Sequence, residues 1–158
     1  MPRGSAAATC SVILAVAYAT AAHAGDGAAI FVQNCVLCHQ TGATGLPGQF
    51  PRLAGRVSAI GSHPEGRSYL IDVLTYGLSG TIKVDGEEII GLMPPFATLP
   101  NDAVADVLSY VQSLGDAPKA APKAISEEEV AAARAKPAKS ADEVQEERQA
   151  LLRKKVIP

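Results

Sequence analysis

Cys35-Val36-Leu37-Cys38-His39 is the stretch on which the reading of this 158-residue chain turns. Two thiols three positions apart, followed at once by an imidazole, form the attachment pattern of a c-type haem. A helix-borne CxxC sets both sulfurs along one edge of a flat macrocycle, where each can form a thioether to a vinyl group. His39 then falls beneath the iron as the proximal axial ligand. The motif therefore predicts one haem c per chain, with Cys35, Cys38 and His39 as its covalent and axial contacts.

A CxxC pair has three rival readings, and each needs company the sequence does not supply. A zinc site needs further Cys or His ligands at finger-like spacing, yet no Cys follows Cys38 and the only His after His39 is His63. A thioredoxin-like redox pair is expected after a strand in a βαβ unit, whereas the residues before Cys35 read as an amphipathic helix. A structural disulfide would not call for the adjacent imidazole.

Residues 1–24 look like a secretory signal peptide. Arg3 supplies the positive start, Ala6 to Ala22 is apolar, and Ala22-His23-Ala24 is an A-x-A cleavage site. Cleavage after Ala24 leaves 134 residues and removes Cys10 and His23, so that Cys35 and Cys38 are the remaining thiols. The alternative, a retained membrane anchor, suits an apolar stretch of about 20 residues, longer than this one. Export agrees with the haem motif, because haem attachment takes place outside the energy-transducing membrane, and it predicts a periplasmic protein with no membrane span after cleavage.

Composition is consistent with a cofactor-filled core. Aromatic residues are 4% and Trp is absent, so protein side chains offer little bulk, and a buried porphyrin would supply it. Residues 25–115 carry eight acidic against four basic side chains, a net of −4. That balance gives no footprint for nucleic acid and favours a redox partner with a basic docking patch.

Three main helices can be read around the haem, making the body all-α. The first runs from about Asp26, as N-cap, to Cys38, with Gly27, Phe31 and Cys35 on one face. The second covers about Ser68 to Tyr76 and stops at Gly77. The third is capped by Asn101, repeats Val104, Val107, Leu108, Val111 and Leu114 at helical spacing, and ends at Gly115. All are short, and packing has to hold them.

From Gly25 to Gly115 these residues resemble the class I, mitochondrial-type cytochromes c, and among them the small bacterial cytochromes with one haem. The resemblance implies that fold and an electron-transfer role rather than enzymatic activity. It also implies that Gly27 and Phe31 meet Val107 and Tyr110 where the first and last helices cross. It further implies that a Pro carbonyl accepts the hydrogen bond of the proximal His Nδ1; Pro51 matches that position better than Pro47.

Met93 is the candidate sixth ligand. A thioether favours ferrous iron, and Met93 is the one Met left after signal cleavage. Its setting, Gly91-Leu92-Met93-Pro94-Pro95-Phe96, is stiffened by proline and resembles the family's ligand loop. His63 competes with it, but Gly61-Ser62-His63-Pro64-Glu65-Gly66 reads as an exposed, mobile loop. Thr81 to Val84 and Glu87 to Ile90, joined by Asp85-Gly86, predict a small β-hairpin before that loop. Arg56 is a candidate for a haem propionate, or a solvated side chain.

Beyond the body, residues 116–125 form an Ala/Pro/Lys linker and residues 126–158 a charged helical tail. Ser126, Glu129, Val130 and Arg134 are answered 14 positions on by Ser140, Glu143, Val144 and Arg148. Each copy opens with Ser-x-x-Glu, a capping box, predicting helices over roughly 127–135 and 141–155. Their thin apolar faces read as a loosely ordered, solvated extension. The alternative is a tether that wraps the body or docks it on a partner. Members of the resembling family end near the third helix, so the tail departs from their pattern.

The functional expectation is one-electron transfer, with His39 and Met93 saturating the iron. The protein would act as a mobile carrier or as the cytochrome subunit of a dehydrogenase or reductase. The alternatives are a haem enzyme or a haem-based sensor in which Met93 is displaced.

Overall fold

Gly27 and Phe31 lie four residues apart, so on a helix they present a notch and a ring on one face. Helix α1 (Asp26–Asn34) uses both against the last helix of the body. Gly27 lies against the Asp106 carbonyl and Tyr110, where there is no room for a side chain. Phe31 is 1% exposed, and its ring stands 5.7 Å from that of Tyr110 at 56°. Val107 lies in the same buried cluster. This is the crossing that the resemblance implied. The computed structural model describes Met1, residues 26–116 and residues 123–158. The rest of the proposed signal peptide and linker residues 117–122 lie outside the described residues.

Among the described residues there are seven α-helices and one two-stranded sheet. The expected first helix, Asp26 to Cys38, is broken. Cys35 stays in the right-handed region but with a distorted φ (φ −119°, ψ −30°), and α2 (Val36–His39) starts afresh after it. Cys35 N–H still bonds the Phe31 carbonyl, while its own carbonyl accepts from Cys38 (3.2 Å) and His39 (2.9 Å). The interruption falls inside the motif. A single 3₁₀ turn, Thr41–Ala43, follows.

The second expected helix is longer than its apolar pattern suggested. α3 (Arg56–Gly61) precedes it, and α4 (Pro64–Tyr76) begins at Pro64, whose missing N–H suits a first helical turn. His63 is therefore the N-cap residue between two helices, exposed, rather than part of an irregular loop.

The hairpin also extends further than expected. β1 (Leu78–Val84) and β2 (Glu87–Met93) pair antiparallel around Asp85-Gly86. Both turn residues have positive φ (53° and 87°), as a two-residue primed turn requires. Met93 is thus the last residue of a strand, paired with Leu78, and not a loop residue beyond the hairpin.

α5 (Asn101–Gln112) begins one residue earlier than expected, with Pro100 at the cap position. Asn101 does not cap it; its Oδ1 instead accepts from Arg134 Nη1 of the tail at 2.8 Å.

The largest departure is the tail itself. α6 (Glu127–Arg134) and α7 (Ala141–Arg153) each carry the complete capping box. Rather than floating in solvent, they pack on the body. Val130 and Val144, the repeated apolar positions, are both 0% exposed, and Ile125, Leu151 and Ile157 are buried with them. Arg67 of α4 grips Glu129 with two nitrogens (2.7 and 2.6 Å) and donates to the Lys123 and Ala124 carbonyls. Lys139 reaches the buried Asp72 (2.7 Å) and Glu147 (2.6 Å). Each tail helix shows few apolar residues because each needs only one narrow seam. The rest of the attachment is polar.

Candidate cofactor site

His39 closes α2 and is 7% exposed. Its Nδ1 lies 3.0 Å from the Pro51 carbonyl. An Nδ1–H donated there leaves the Nε2 lone pair free and fixes the plane of the ring. Burial lowers the pKa of His39, and the bond to Pro51 works in the opposite sense. The net result favours the neutral imidazole, the form that can bind a metal. The Pro51 carbonyl thus lies within hydrogen-bond distance of the His39 ring.

Cys35 and Cys38 are half-buried and unpaired with each other. Burial, followed by repulsion from Cys38, pushes the Cys35 thiol up to about 11. A redox-active CxxC needs the opposite shift. Among the described residues no group of three or more His, Cys, Asp or Glu side chains could hold a metal ion, so the zinc reading has no ligand set either.

Both cysteines, His39, Pro51 and Met93 line one cavity of about 440 Å³, within the range of cofactor pockets. Its walls are mainly aliphatic: Leu53, Val57 and Leu70 from the helical side, Ile82 and Ile89 from the hairpin. Phe50, Ile90 and Leu92 border the same space and remain 37%, 74% and 69% exposed. An apolar hollow with exposed apolar borders fits a large flat hydrophobic group. Two thiols, an imidazole with a free nitrogen and a thioether on its lining match the donor set of a covalently attached haem.

Several elements bring Met93 to this cavity. The Leu78↔Met93 register sets it at the strand end. Gly77 (φ 82°) packs against the Met93 carbonyl, leaving no space for a Cβ. Past Pro94-Pro95, Phe96 N–H bonds the Leu74 carbonyl of α4 at 2.8 Å. Arg52, next to Pro51, pairs bidentately with Asp85 at the hairpin turn (2.7 and 2.8 Å). That pair ties the segment that orients His39 to the strand pair that carries Met93. It also holds the Asp85 carboxyl below its ordinary range.

The chain matches the family model described as cytochrome c oxidase, cbb3-type, subunit III over residues 22–111. It is 46% identical over 113 residues to cytochrome c-552 of Thermus thermophilus, covering 70% of this chain and 86% of that protein. A second cytochrome c-552, from Thermus thermophilus strain ATCC 27634, is also 46% identical over 113 residues, covering 70% of this chain and 76% of that protein. The chain is a small class I cytochrome c.

This cytochrome carries covalently bound haem c and transfers electrons; it is not an enzyme. The fold agrees with that class in being mostly helical with one small sheet. Of the residues singled out in the sequence, His63 is exposed at the start of α4 and does not line the cavity. Arg56 does line it, and donates from Nη2 to the Pro158 main-chain oxygen at 2.9 Å. Arg148 also lines the cavity, although in the sequence it stands out only as one polar residue of the tail repeat. Its correspondence with Arg134 was a usable signal: both are repeat arginines that turn towards the body, Arg134 to the Leu99 carbonyl at 2.8 Å. Among the described residues no helix is long and apolar enough to cross a membrane.

Proposed function

We propose that this cytochrome is a periplasmic electron carrier whose haem is held by thioethers to Cys35 and Cys38 and ligated by His39 and Met93, with Pro51 orienting His39. In this reading residues 1–24 are a signal peptide cleaved after Ala24, residues 25–115 the haem domain of three main helices, 116–125 the linker and 126–158 the tail. The observation that carries the ligand assignment is that the free side of a Pro51-anchored imidazole and the Met93 thioether border one cavity with both thiols.

The bound haem supplies a one-electron store. The protein's part is to keep its surroundings unchanged between oxidation states. His39 is held by burial and by Pro51. Met93 is held by strand pairing and by the proline-stiffened link back to α4. Two ligands with fixed positions leave little to reorganise when charge changes, and both saturate the metal so that no site remains for substrate. The aliphatic lining excludes water, which together with a thioether ligand favours the reduced form.

Electrons would pass to and from redox partner proteins across a small transient contact, the acidic body favouring a basic partner surface. This chain acts either as a mobile carrier or as the cytochrome subunit of a dehydrogenase or reductase. A visible spectrum combined with haem staining after denaturing electrophoresis tests the assignment. Haem retained through denaturation, with a far-red sulfur-to-iron band in the oxidised protein, is the expected result. Rapid, complete carbon monoxide binding to the ferrous protein at neutral pH would refute Met93 ligation.

A further inference from the structure

Arg148 sits on α7, in the tail, and is 3% exposed. It nevertheless lines the cavity of Cys35, His39 and Met93. A guanidinium has five N–H donors, and among the described residues its one hydrogen bond is from Nη2 to the Lys83 carbonyl at 3.5 Å, at the weak limit for such a bond. Arg56 of α3 lines the same cavity, with a main-chain oxygen as partner. Among the described residues the salt bridges engage Arg52, Arg67 and Lys139, and none includes Arg56 or Arg148. The two cations oppose each other: burial lowers the pKa of Arg56, and Arg148 adds to that lowering.

Burying a cation without an anionic partner is strongly unfavourable, and Arg148 is such a cation; Arg56, half-buried and hydrogen-bonded to the Pro158 oxygen, adds a second positive charge on the same wall. Such an arrangement is stable when an anion occupies the cavity side. Guanidinium matches a carboxylate in plane and spacing and binds it bidentately. Haem carries two carboxylates on its propionate arms.

We propose that Arg148 of the tail and Arg56 of the body together hold the haem carboxylates, so that the C-terminal extension forms a wall of the cofactor site. The inference rests on haem occupying this cavity, as proposed above. It gives the tail a chemical role besides packing: α7 docks with its buried charge compensated by the cofactor, which couples tail attachment to haem loading.

The other charged groups nearby are accounted for. Tyr69 of α4 is pushed up to about 12, by burial first and against the pull of Arg148 and Arg56, so it is neutral in the working range. Arg52 and Asp85 neutralise each other at the hairpin turn. Glu147 of α7 is paired with Lys139, and His39 is committed to Pro51.

The test is made on full-length holoprotein whose haem carboxyl carbons are labelled with carbon-13 by feeding labelled aminolevulinate. Infrared spectra across a pH series then read the ionisation of those carboxyls alone. In R148Q and in R56Q, loss of one cation should raise a labelled carboxyl's midpoint by about one pH unit, roughly tenfold in proton affinity; R148K should follow the wild type. R56Q lies outside the tail and reads the pair even where R148Q loosens α7. Haem-loaded R148Q and R56Q that both keep the wild-type midpoint overturn the proposal. A wild-type product without covalent haem would instead refute the cofactor assignment itself.

Discussion

Replacing Gly27 by Ala adds one methyl group at the tightest point of the α1–α5 crossing. Its Cβ would overlap the Asp106 carbonyl oxygen and lie 2.7 Å from the carbonyl carbon and 2.8 Å from Tyr110 Cβ. Carbon atoms in contact sit about 3.5–4.0 Å apart, so the helices must separate by roughly 1 Å. Overpacking of this kind costs about 1–3 kcal/mol. Disturbing the Phe31–Tyr110 ring pair removes part of a further ~0.5–1.5 kcal/mol. Against these, Ala gains up to about 1 kcal/mol over Gly in a helix interior, and less at the second residue of α1. The net expectation is a loss of about 2 kcal/mol. For a domain of this size each kcal/mol lowers Tm by roughly 4 °C, so G27A should melt about 8 °C below wild type, followed by circular dichroism on the haem-loaded protein. V32A is the control, because Val32 lies on the same helix, is 61% exposed and does not line the cofactor cavity. G27A melting at or above the wild-type temperature, with V32A unchanged, would show that the crossing is not close-packed and refute the reasoning.

Three further outcomes follow from the site and the tail. Val144, fully buried in the seam beneath α7, should cost about 2 kcal/mol on truncation to Ala, seen as faster amide exchange in α7 with little change in α1 and α5; uniform acceleration would contradict a separately docked tail. Glu129 has its pKa lowered, chiefly by the hydrogen bond from Arg67 and despite some burial. A depressed carboxylate stabilises the fold above its unfolded pKa, near 4.5, and that contribution is lost as pH falls through the folded value. Protease cleavage of the tail should therefore rise below about pH 4.5, and E129Q should be susceptible already at neutral pH. Met93→Ala should abolish the far-red band and open the ferrous protein to carbon monoxide while leaving haem covalently bound; retention of the band would move the sixth ligand elsewhere.

Much of the site was legible from short-range rules. The CxxCH spacing, the Asp85-Gly86 turn, Gly27 and Phe31 one helical turn apart, and both Ser-x-x-Glu boxes all act within a few residues, and each stands where the sequence put it. The errors share a cause. Asn101 has the chemistry of a cap, but its oxygen is used 33 positions away by Arg134. Met93 reads as a loop residue because Leu92 and Met93 precede two prolines, yet pairing with Leu78 extends the strand to include it.

Local chemistry in the amino-acid sequence by itself determined the CxxCH motif, the hairpin turn and the starts of the two tail helices at their Ser-x-x-Glu boxes, while the Pro51 acceptor was implied by the family resemblance. Tertiary structure alone decided that the first helix is interrupted at Cys35, that the tail lies on the body, and that Arg148 reaches the cavity of Cys35, His39 and Met93. The physical reason is range. A cap or turn is satisfied by neighbours a few bonds away. The burial of Val130 and Val144, and the environment of a tail arginine, depend on surfaces contributed by residues dozens of positions earlier, whose arrangement exists only once the body has folded.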